Sequence, residues 1–572
     1  MKKLVCHLIL PCLLTLSGCS TAPQKQAADA DPVKPETVKT AELPAKPFAA
    51  DSLYDLLVAD IALNRSQFEL ALEKYLVQAH QTRDPGVIQL AARVADYVRD
   101  NSASLETALL WIDVAPEDPK AHRAALQAYA IQGDAINALL HASWLYAQEA
   151  DLDAFLAVTS IQMTDTQTKE LIAAYQSLNL SAERQPFVML ARAILYRSIA
   201  ELEIAEQTVT EFLQLQPDNQ PGVLLLAQLM HQQDRIDEAA TLIGDALQRH
   251  PEDRKLRLQY ARLLTITDLQ QAIIEFEALR VEDPADQEIN FLLALLLHNQ
   301  GQSDRAMGLF AQASQRPSLS ADSQFHMGSI TEGRGNITSA IKHYSQVRFG
   351  RNYLPAVSRL TVLINQQYGL SAARQNLQRL RAEQPEQAVT LFQIESNLLV
   401  SLQMPESALS ILSDGLNSFP NDSQLLYARS MVAERQDNFA LAEQDLRALI
   451  DQDENNASAL NALGYSMVVH TDRQDEAYRL IKRAYLLNPG DPAIIDSMGW
   501  VLYKLGELAE ALKYLQKALA LLPDPEIAAH LGEVQWVMGD SDAALKTWQQ
   551  GLQQAPGYQA IIEAMDRLGA TQ

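Results

Sequence analysis

Alanine recurs along this chain at intervals of 33 to 35 residues, in the series Ala205, Ala239, Ala272, Ala306, Ala340, Ala373, Ala408, Ala442, Ala477, Ala511 and Ala544. A repeat of this length forms a pair of helices, which cannot bury its apolar residues alone and must stack on its neighbours. The period therefore predicts an all-α fold, a superhelical α-solenoid of stacked helix-turn-helix units. The surface of such an array suits the binding of other proteins.

The unit over residues 491–523 shows how the repeat is built. Apolar residues recur at helical spacing over 495–502 and again over 511–519, with Gly506 at the turn between the two segments. Pro523 ends the second helix, because proline cannot continue it. Gly499 and Ala511 allow the two backbones to approach, and a larger side chain at such a contact costs about 1–3 kcal/mol.

The neighbouring units repeat these positions, with Gly464, Gly499 and Gly532 in the first helix, Ala477, Ala511 and Ala544 in the second, and Pro489, Pro523 and Pro556 at the end. At these residues the chain resembles the tetratricopeptide repeat (TPR) family, and the resemblance covers residues 186–556 as eleven units. One departure is Tyr260, which replaces the small residue of its first helix and predicts a looser or shifted contact.

Helical patterns continue on both sides of the regular repeats. Residues 51–185 are predicted as an irregular TPR-like region of four units that caps the array, because Ala71, Ala108 and Ala138 are 37 and 30 residues apart. Residues 557–572 are predicted as a C-terminal capping helix, which an array needs to cover its last apolar face.

The first residues resemble a bacterial lipoprotein leader. Lys2 and Lys3 precede an apolar stretch over residues 4–16, which is too short to span a bilayer. The segment Leu16-Ser17-Gly18-Cys19 then resembles the lipoprotein box, which implies a signal peptide over residues 1–18 and lipidation of Cys19. An ordinary secretory peptide is the alternative. The absence of Asp after the cysteine favours an outer-membrane anchor, with the body of the protein in the periplasm.

Residues 19–50 follow as a tether. They contain Pro23, Pro32, Pro35, Pro44 and Pro47 among many Ala and charged residues, with few aliphatic side chains. This composition cannot form a core and is typical of a disordered linker.

The chain is acidic, with a formal net charge of −25. This balance argues against nucleic acid as a partner, because phosphate binding needs basic patches. An acidic surface attracts basic partners, although it also serves solubility alone.

No arrangement of residues in the sequence predicts a catalytic centre or a cofactor site. Ser339 and Lys342 have the Ser-x-x-Lys spacing, but they flank the repeat alanine Ala340 within a predicted helix. We therefore predict that the protein is not an enzyme, with a site hidden in residues 51–185 as the alternative.

A metal site is not predicted either. Asp451, Asp453 and Asn455 begin like a calcium loop, but Ala462 stands where the twelfth position needs Glu. The 11 histidines are scattered along the chain, with no pair at zinc-ligand spacing.

In TPR arrays the first helices line the binding groove, and the residues just after the small residue and three further on point into it. The resemblance implies protein-binding roles for Tyr465, Trp500, Tyr503 and Trp536, together with the acidic Asp496 and Glu533. Packing between repeats is the alternative for each of them. The Lys/Arg–Asn clamp of chaperone-binding TPR domains is not evident.

The segments over residues 52–75 and 498–534 resemble a narrower group, the lipoprotein partner of the periplasmic carboxyl-terminal processing protease of pseudomonads. This resemblance implies an adaptor that binds that serine protease and presents protein substrates, such as peptidoglycan cross-link hydrolases. A structural scaffold of an envelope assembly or polysaccharide export machine is the alternative.

Overall fold

The computed structural model describes residues 48–570, and within that range it contains 31 α-helices and no strand. The described residues divide into two compact units, with the boundary between Leu309 and Phe310. Helices of the first unit are α1 (Ala50–Asn64), α2 (Phe68–Thr82), α3 (Pro85–Val98), α4 (Asn101–Val114), α5 (Pro119–Gln132), α6 (Ala135–Glu149), α7 (Leu152–Ala157), α8 (Asp165–Ser177), α9 (Pro186–Ser198), α10 (Leu202–Leu215), α11 (Gln220–Gln232), α12 (Ile236–Arg249), α13 (Arg254–Thr267), α14 (Leu269–Glu282) and α15 (Gln287–Asn299).

Helix α16 (Ser303–Ala313) contains the boundary between the two units in the sequence. The second unit continues with α17 (Pro317–Gly333), α18 (Ile337–Tyr344), α19 (Tyr353–Tyr368), α20 (Leu370–Glu383), α21 (Ala388–Ser401), α22 (Pro405–Ser418), α23 (Ser423–Glu434), α24 (Phe439–Gln452), α25 (Ala457–His470), α26 (Gln474–Leu487), α27 (Pro492–Lys504), α28 (Leu508–Leu521), α29 (Pro525–Val537), α30 (Ser541–Gln554) and α31 (Gln559–Leu568). Two short 3₁₀ turns, Val158–Ser160 and Pro385–Gln387, complete the described helical structure.

Within each unit the helices pack as successive hairpins, and the second helix of one hairpin also contacts the first helix of the next. The apolar residues predicted to face inward form a chain of small buried clusters along these contacts. The predicted all-α fold of stacked helix-turn-helix pairs is therefore confirmed.

Aspartate explains where many first helices begin. Asp491, for example, accepts hydrogen bonds from the backbone N–H groups of Ala493 and Ile494, and Pro492 occupies the first helical position. Asp118 and Asp524 begin their helices with the same Asp-Pro pair. Such caps satisfy backbone donors that have no partner within the helix. Part of the acidic charge of the chain thus has a structural use.

The turn inside most hairpins has one residue in the left-handed conformation, five residues before the small residue of the second helix. The residues are Ser66, Gly133, Ala200, Asp234, Gly301, Gly335, Gln403, Asp437, Gly506 and Gly539, with φ between 53° and 89°. Glycine is favoured there because it has no side chain to clash, as at Gly506, but half of these positions carry another residue. The turn register is therefore kept by the packing of the two helices, whatever residue occupies the turn.

The small residues of the first helices lie at close helix contacts. A Cβ at Gly499 would lie 2.6 Å from Cγ of Leu515 and 3.2 Å from the carbonyl oxygen of Ala511. A Cβ at Gly464 would lie 2.6 Å from Cγ1 of Ile481. The sequence prediction that glycine faces the partner helix here agrees with this geometry.

Of the two possibilities expected at Tyr260, a looser or a shifted contact, the structure has the shifted one. The Tyr260 ring packs against the preceding second helix, where a Cβ added to Gly244 would lie 3.2 Å from the ring. A glycine in the earlier helix thus provides the space that the large side chain needs.

The drift expected between Ala71 and Ala138 needs correction. The left-handed residue of the second hairpin is Arg99, which lies five residues before Ser104. Ser104 is buried, and its hydroxyl donates to Asp96 at 2.7 Å. The repeat position is therefore Ser104 rather than Ala108, and the spacings become 33 and 34 residues. The irregular part of residues 51–185 lies after α6, where the short α7, a 3₁₀ turn and α8 replace a regular hairpin.

Helix α31 lies in the segment predicted to cap the C-terminal end. Ile561 and Ala564 are buried in a cluster with Ala528 and Trp548, while Glu563 and Asp566 are exposed. The helix thus covers apolar residues of the last hairpin and presents a polar outer surface.

Candidate functional site

The six residues predicted to bind protein lie on three successive first helices of the second unit. Tyr465 is on α25, Asp496, Trp500 and Tyr503 are on α27, and Glu533 and Trp536 are on α29. Helix α27 contacts both α25 and α29. Five of the six residues therefore meet in one network of rings and carboxylates, while Trp536 packs elsewhere.

The centre of this network is a buried ion pair. The His530 ring nitrogen Nδ1 donates to Asp496, at 2.9 Å from Oδ2 and 3.1 Å from Oδ1. Burial opposes a charge on His530, but the Asp496 carboxylate, with Glu526 and Glu533 nearby, prevails and raises the pKa of the imidazole. An opposite charge in contact favours the protonated form. The surrounding carboxylates thus favour the protonated form of His530.

Trp500 covers this ion pair. Its ring stacks on the His530 ring with centroids 4.1 Å apart and lies 5.1 Å from the ring of Tyr503. The Lys504 ammonium lies 4.5 Å from the Trp500 ring centroid, at a distance typical of cation–π attraction. Trp500 is only 8% exposed, so most of its surface is already covered by the protein.

Glu533 joins the C-terminal helix to the network. Its carboxylate accepts hydrogen bonds from the Tyr503 hydroxyl at 2.9 Å and from Arg567 Nη2 at 2.6 Å. Burial and the Glu533 charge raise the pKa of Tyr503 to about 12. Glu533 is almost fully buried, so Arg567 of α31 supplies the countercharge that this carboxylate needs.

Tyr465 connects helices that are not sequence neighbours. Its hydroxyl donates to Glu526 Oε1 at 3.0 Å across 61 residues, and its ring centroid lies 6.1 Å from that of His530. Burial and the charges of Glu526 and Asp496 raise the pKa of Tyr465. Glu526 itself is exposed at the surface, so this edge of the network reaches solvent with an acidic group.

Trp536 lies apart from the other five residues. Its ring packs 5.9 Å from that of Trp548, whose indole N–H donates to the carbonyl of Ala529 at 3.3 Å. Trp536 therefore contributes to the core of the last hairpin, and only part of its surface is accessible.

The burial of these residues separates two kinds of contribution. Asp496, Trp500 and Glu533 are buried between first helices, where they join one repeat to the next. Tyr465 and Tyr503 are partly accessible, and Glu526 is exposed. A binding role for the six residues stays a prediction, and the accessible part of the site consists of this aromatic and acidic edge.

Sequence reasoning missed His530, Glu526 and Arg567. One signal was present, since His530 follows Asp496 by 34 residues, which is one repeat period. An acid and a base one period apart on first helices are placed on adjacent helices. The contribution of Arg567 depended on how the final helix packs, which no repeat position specifies.

The motifs considered for chemistry lie at turns and on the outer surfaces of helices. Asn336 caps α18 by accepting from the N–H of Ser339, and Ser339 and Lys342 flank the buried Ala340 on a helix of ordinary repeat packing. Asp453 accepts from the N–H of Asn455 at 2.9 Å in the turn before α25. Across residues 48–570, no three His, Cys, Asp or Glu side chains lie where they could hold a metal ion together.

Two histidines of the first unit meet, although they are 19 residues apart in the sequence. His122 Nε2 donates to the carbonyl of Pro116 at 2.9 Å, so its Nδ1 accepts from Nδ1 of His141 at 3.1 Å. The His122 ring also stacks on Trp144, with centroids 3.8 Å apart. Burial and the neighbouring His122 lower the pKa of His141 to about 4. His141 is therefore neutral near pH 7.

The predicted lipid site, Cys19, and the tether up to residue 47 lie outside the described residues. Among the helices over residues 48–570, none has the length and apolar composition needed to cross a bilayer.

Comparison with known proteins gives consistent matches. Models of the tetratricopeptide repeat match residues 221–244, 262–321, 397–492 and 493–525. The TPR repeat-containing protein PA4667 of Pseudomonas aeruginosa is 35% identical over 535 residues, which cover 92% of this chain and 90% of that protein. A solved thermophilic TPR protein of Thermus thermophilus shares 23% identity, with a TM-score of 0.29 over 32% of this chain and 98% of its own. A solved tetratricopeptide repeat protein of Parabacteroides merdae shares 16% identity, with a TM-score of 0.35 over 44% of this chain and 99% of its own.

Proposed function

The chain belongs to the tetratricopeptide repeat family, and from this premise we propose that it is a periplasmic adaptor. In this proposal it binds a serine protease of the carboxyl-terminal processing type and presents protein substrates to it, such as peptidoglycan cross-link hydrolases. An N-terminal lipid on Cys19 anchors it to the outer membrane.

The observation that carries the binding role is the edge formed by first helices α25, α27 and α29. Tyr465, Tyr503 and Glu526 are accessible there, while the buried His530–Asp496 pair fixes the helices beneath them. Tyrosine supplies a large contact area with a polar end, and it is enriched among the residues that dominate binding energy. A rigid support lowers the entropy lost when a partner binds.

The charge of the protein favours a basic partner or substrate. The net charge is −25, and carboxylates concentrate around the network just described. Burial raises the pKa of the Glu434 carboxyl, on the preceding first helix α23, and outweighs the opposing charges of His470 and Arg435. A Lys- or Arg-rich segment docked at this edge would favour the ionised carboxylate.

The identity of the protease rests on the resemblance of residues 52–75 and 498–534 to the lipoprotein partner of such a protease in pseudomonads. The lipoprotein box at Leu16–Cys19 and the Pro-rich tether are consistent with an adaptor that extends from the membrane. Thirty-one residues after Cys19 would extend up to about 95 Å at ~3.1 Å each.

The test is affinity capture of the full-length lipidated protein from detergent-solubilised envelopes, followed by reconstitution with the purified protease. We expect recovery of a serine protease of this class and faster cleavage of a cross-link hydrolase when the adaptor is added. Glu526→Lys should weaken capture, because it reverses a charge at the accessible edge. Glu252→Lys, at an exposed site in the first unit, is the matched control.

Two outcomes would contradict the proposal. Recovery of polysaccharide export or envelope assembly components without a protease would favour the scaffold function. If the protease is captured but the adaptor does not change the rate of cleavage, the protein anchors the enzyme and does not present substrates to it.

A further inference from the structure

Helix α1, the first described helix, has an apolar stripe that no other part of the described chain covers. Leu53, Tyr54, Leu57 and Ile61 are 61%, 68%, 57% and 45% exposed, and their spacing places them on one side of the helix. A helix that caps a repeat array presents a polar outer surface. The region predicted to cap this end of the array therefore does not do so at α1.

The repeat register shows what this stripe is built to contact. Leu57 and Ile61 lie fourteen and ten residues before Ala71, the small residue of their own second helix. The equivalents before Ala239 are Leu225 and Leu229, which are 3% and 0% exposed.

Leu225 and Leu229 are buried in a cluster with Ala205, Val209 and Phe212, which belong to the preceding second helix α10. Val501, the equivalent of Ile61 before Ala511, is buried with Ala477 and Ile481 of the preceding second helix α26. The exposed stripe on α1 is thus the surface on which each later first helix receives the second helix of the unit before it.

Residues 23–47 are poorly suited to supply that helix. Between Pro23 and Pro47 no run without proline is longer than eight residues, whereas second helices such as α10 have 14 residues. Proline within a helix removes a hydrogen bond and clashes with the preceding turn, at a cost of about 3 kcal/mol.

A second copy of α1 is disfavoured by charge. An antiparallel pairing that sets Tyr54 against Leu57 of the copy also sets the exposed Asp51 against Asp60, and no Lys or Arg occurs within α1. Like charges held in contact at an interface oppose association.

We propose that the stripe on α1 docks an amphipathic helix of a partner protein, which carries an apolar face flanked by Lys or Arg and takes the position of a second helix. Asp51 and Asp60, which are both exposed, lie beside the stripe and complement such flanks, whereas Asp55 faces α2 and pairs with Lys74. This surface belongs to the first unit, so it is a different site from the edge at Tyr465, and it does not depend on the partner being a protease.

The probe is a fluorescein-labelled peptide with the sequence of α26, residues 474–487, held helical by an i,i+4 staple on its polar side. In the chain this helix packs against the next first helix, and it carries Arg479, Lys482 and Arg483. Binding to the full-length protein is followed by fluorescence anisotropy, and a photo-crosslinker on the peptide identifies the residues contacted.

We expect saturable binding of the peptide, with crosslinks to α1. The affinity for the Leu57→Ser, Ile61→Ser double variant should be at least tenfold lower, and high salt should lower the affinity for the wild type. Leu215→Ser, which changes a leucine that is 59% exposed on α10, is the matched control and should bind the peptide normally. A peptide with Arg479, Lys482 and Arg483 changed to Glu should bind at least tenfold more weakly.

Four results would overturn the proposal. The first two are equal binding of the peptide to the double variant and to the wild type, and crosslinks that lie away from α1. The third is equal binding of the charge-reversed peptide. The fourth is a dimer in sedimentation that the Leu57→Ser, Ile61→Ser variant abolishes, which would make a second copy the occupant of the stripe.

Discussion

His530 donates a hydrogen bond to Asp496, 34 residues earlier in the chain, and the two side chains are buried together between first helices α27 and α29. Removing one partner of a buried ion pair leaves an uncompensated charge, which costs on the order of 3–5 kcal/mol. We therefore expect His530→Gln to lower the free energy of local opening at α27 and α29 by about that amount near pH 6. Amide hydrogen exchange measures this opening helix by helix.

The same pair should make stability depend on pH. The pKa of His530 is raised in the folded protein, whereas an unfolded histidine has a pKa of about 6.5. The stabilisation is therefore complete below pH 6.5 and is lost as the pH rises through the folded pKa. The difference between wild type and His530→Gln should shrink over that range. A difference that stays constant from pH 6 to pH 9 would show that the pair does not carry a proton-dependent charge.

Gly499→Ala should destabilise the hairpin formed by α27 and α28. The new Cβ would lie 2.6 Å from Cγ of Leu515, and such overpacking costs about 1–3 kcal/mol, less roughly 1 kcal/mol gained in helix propensity. Gly308→Ala is the matched control, since this glycine of α16 has no atom within 4 Å of an added Cβ. It should stabilise its helix slightly. Amide hydrogen exchange measures the free energy of opening of α27 in the first variant and of α16 in the control. Equal changes in the two variants would refute the close contact at Gly499.

Ala511→Leu tests the other side of the same contact. Ala511 is fully buried, and its carbonyl oxygen lies near the position of Gly499. We expect the larger side chain to weaken the packing of α28 and to lower the temperature of the first unfolding transition in calorimetry. An unchanged calorimetric profile would argue against this position as a helix contact.

His141 should behave in the opposite way to His530. Its pKa is lowered to about 4, so the unfolded chain takes up a proton before the folded one as the pH falls below about 6.5. Stability around α6 should therefore decrease between pH 6.5 and pH 4 and change little below that range. NMR of labelled histidine side chains measures the titration directly, and a midpoint near 6.5 for His141 would contradict the lowered pKa of this buried side chain.

Cys19→Ala should release the protein from the membrane fraction and leave its circular dichroism spectrum unchanged. The prediction follows from the lipoprotein box, since a lipid on Cys19 is then the membrane attachment. Sedimentation of envelopes followed by immunoblotting gives the answer. A variant that still sediments with membranes, after high-salt washing, would show that the attachment lies elsewhere.

The repeat period and the helical spacing of apolar residues within each unit were sufficient to predict the hairpins, because a helix pair of this length buries its apolar residues by stacking on its neighbours. The repeat positions were assigned wrongly, or their contacts misjudged, where the type of residue was the only guide and the backbone conformation was unknown. Ala108 looked like the repeat alanine of α4, but the left-handed turn at Arg99 assigns that position to Ser104. Tyr260 looked like a disruption because the compensating Gly244 belongs to another helix.

The candidate site was predicted less completely. Repeat positions placed Tyr465, Trp500 and Glu533 on first helices, and the structure brings these residues into one network. Their burial was not predictable, because it depends on how far each first helix is rotated against the next. His530 and Arg567 were missed for the same reason, since contacts between helices determine their roles and no pattern within one unit does.

The bond from Tyr465 to Glu526 passes over a whole hairpin, since α27 and α28 lie between the two residues in the chain. Models of repeat proteins usually treat stability as a sum of terms for single units and adjacent pairs. Here a term between next-nearest units is also required. Fraying from the C-terminal end should therefore advance past α29 only when this bond breaks, so the last three hairpins should open more cooperatively than those upstream.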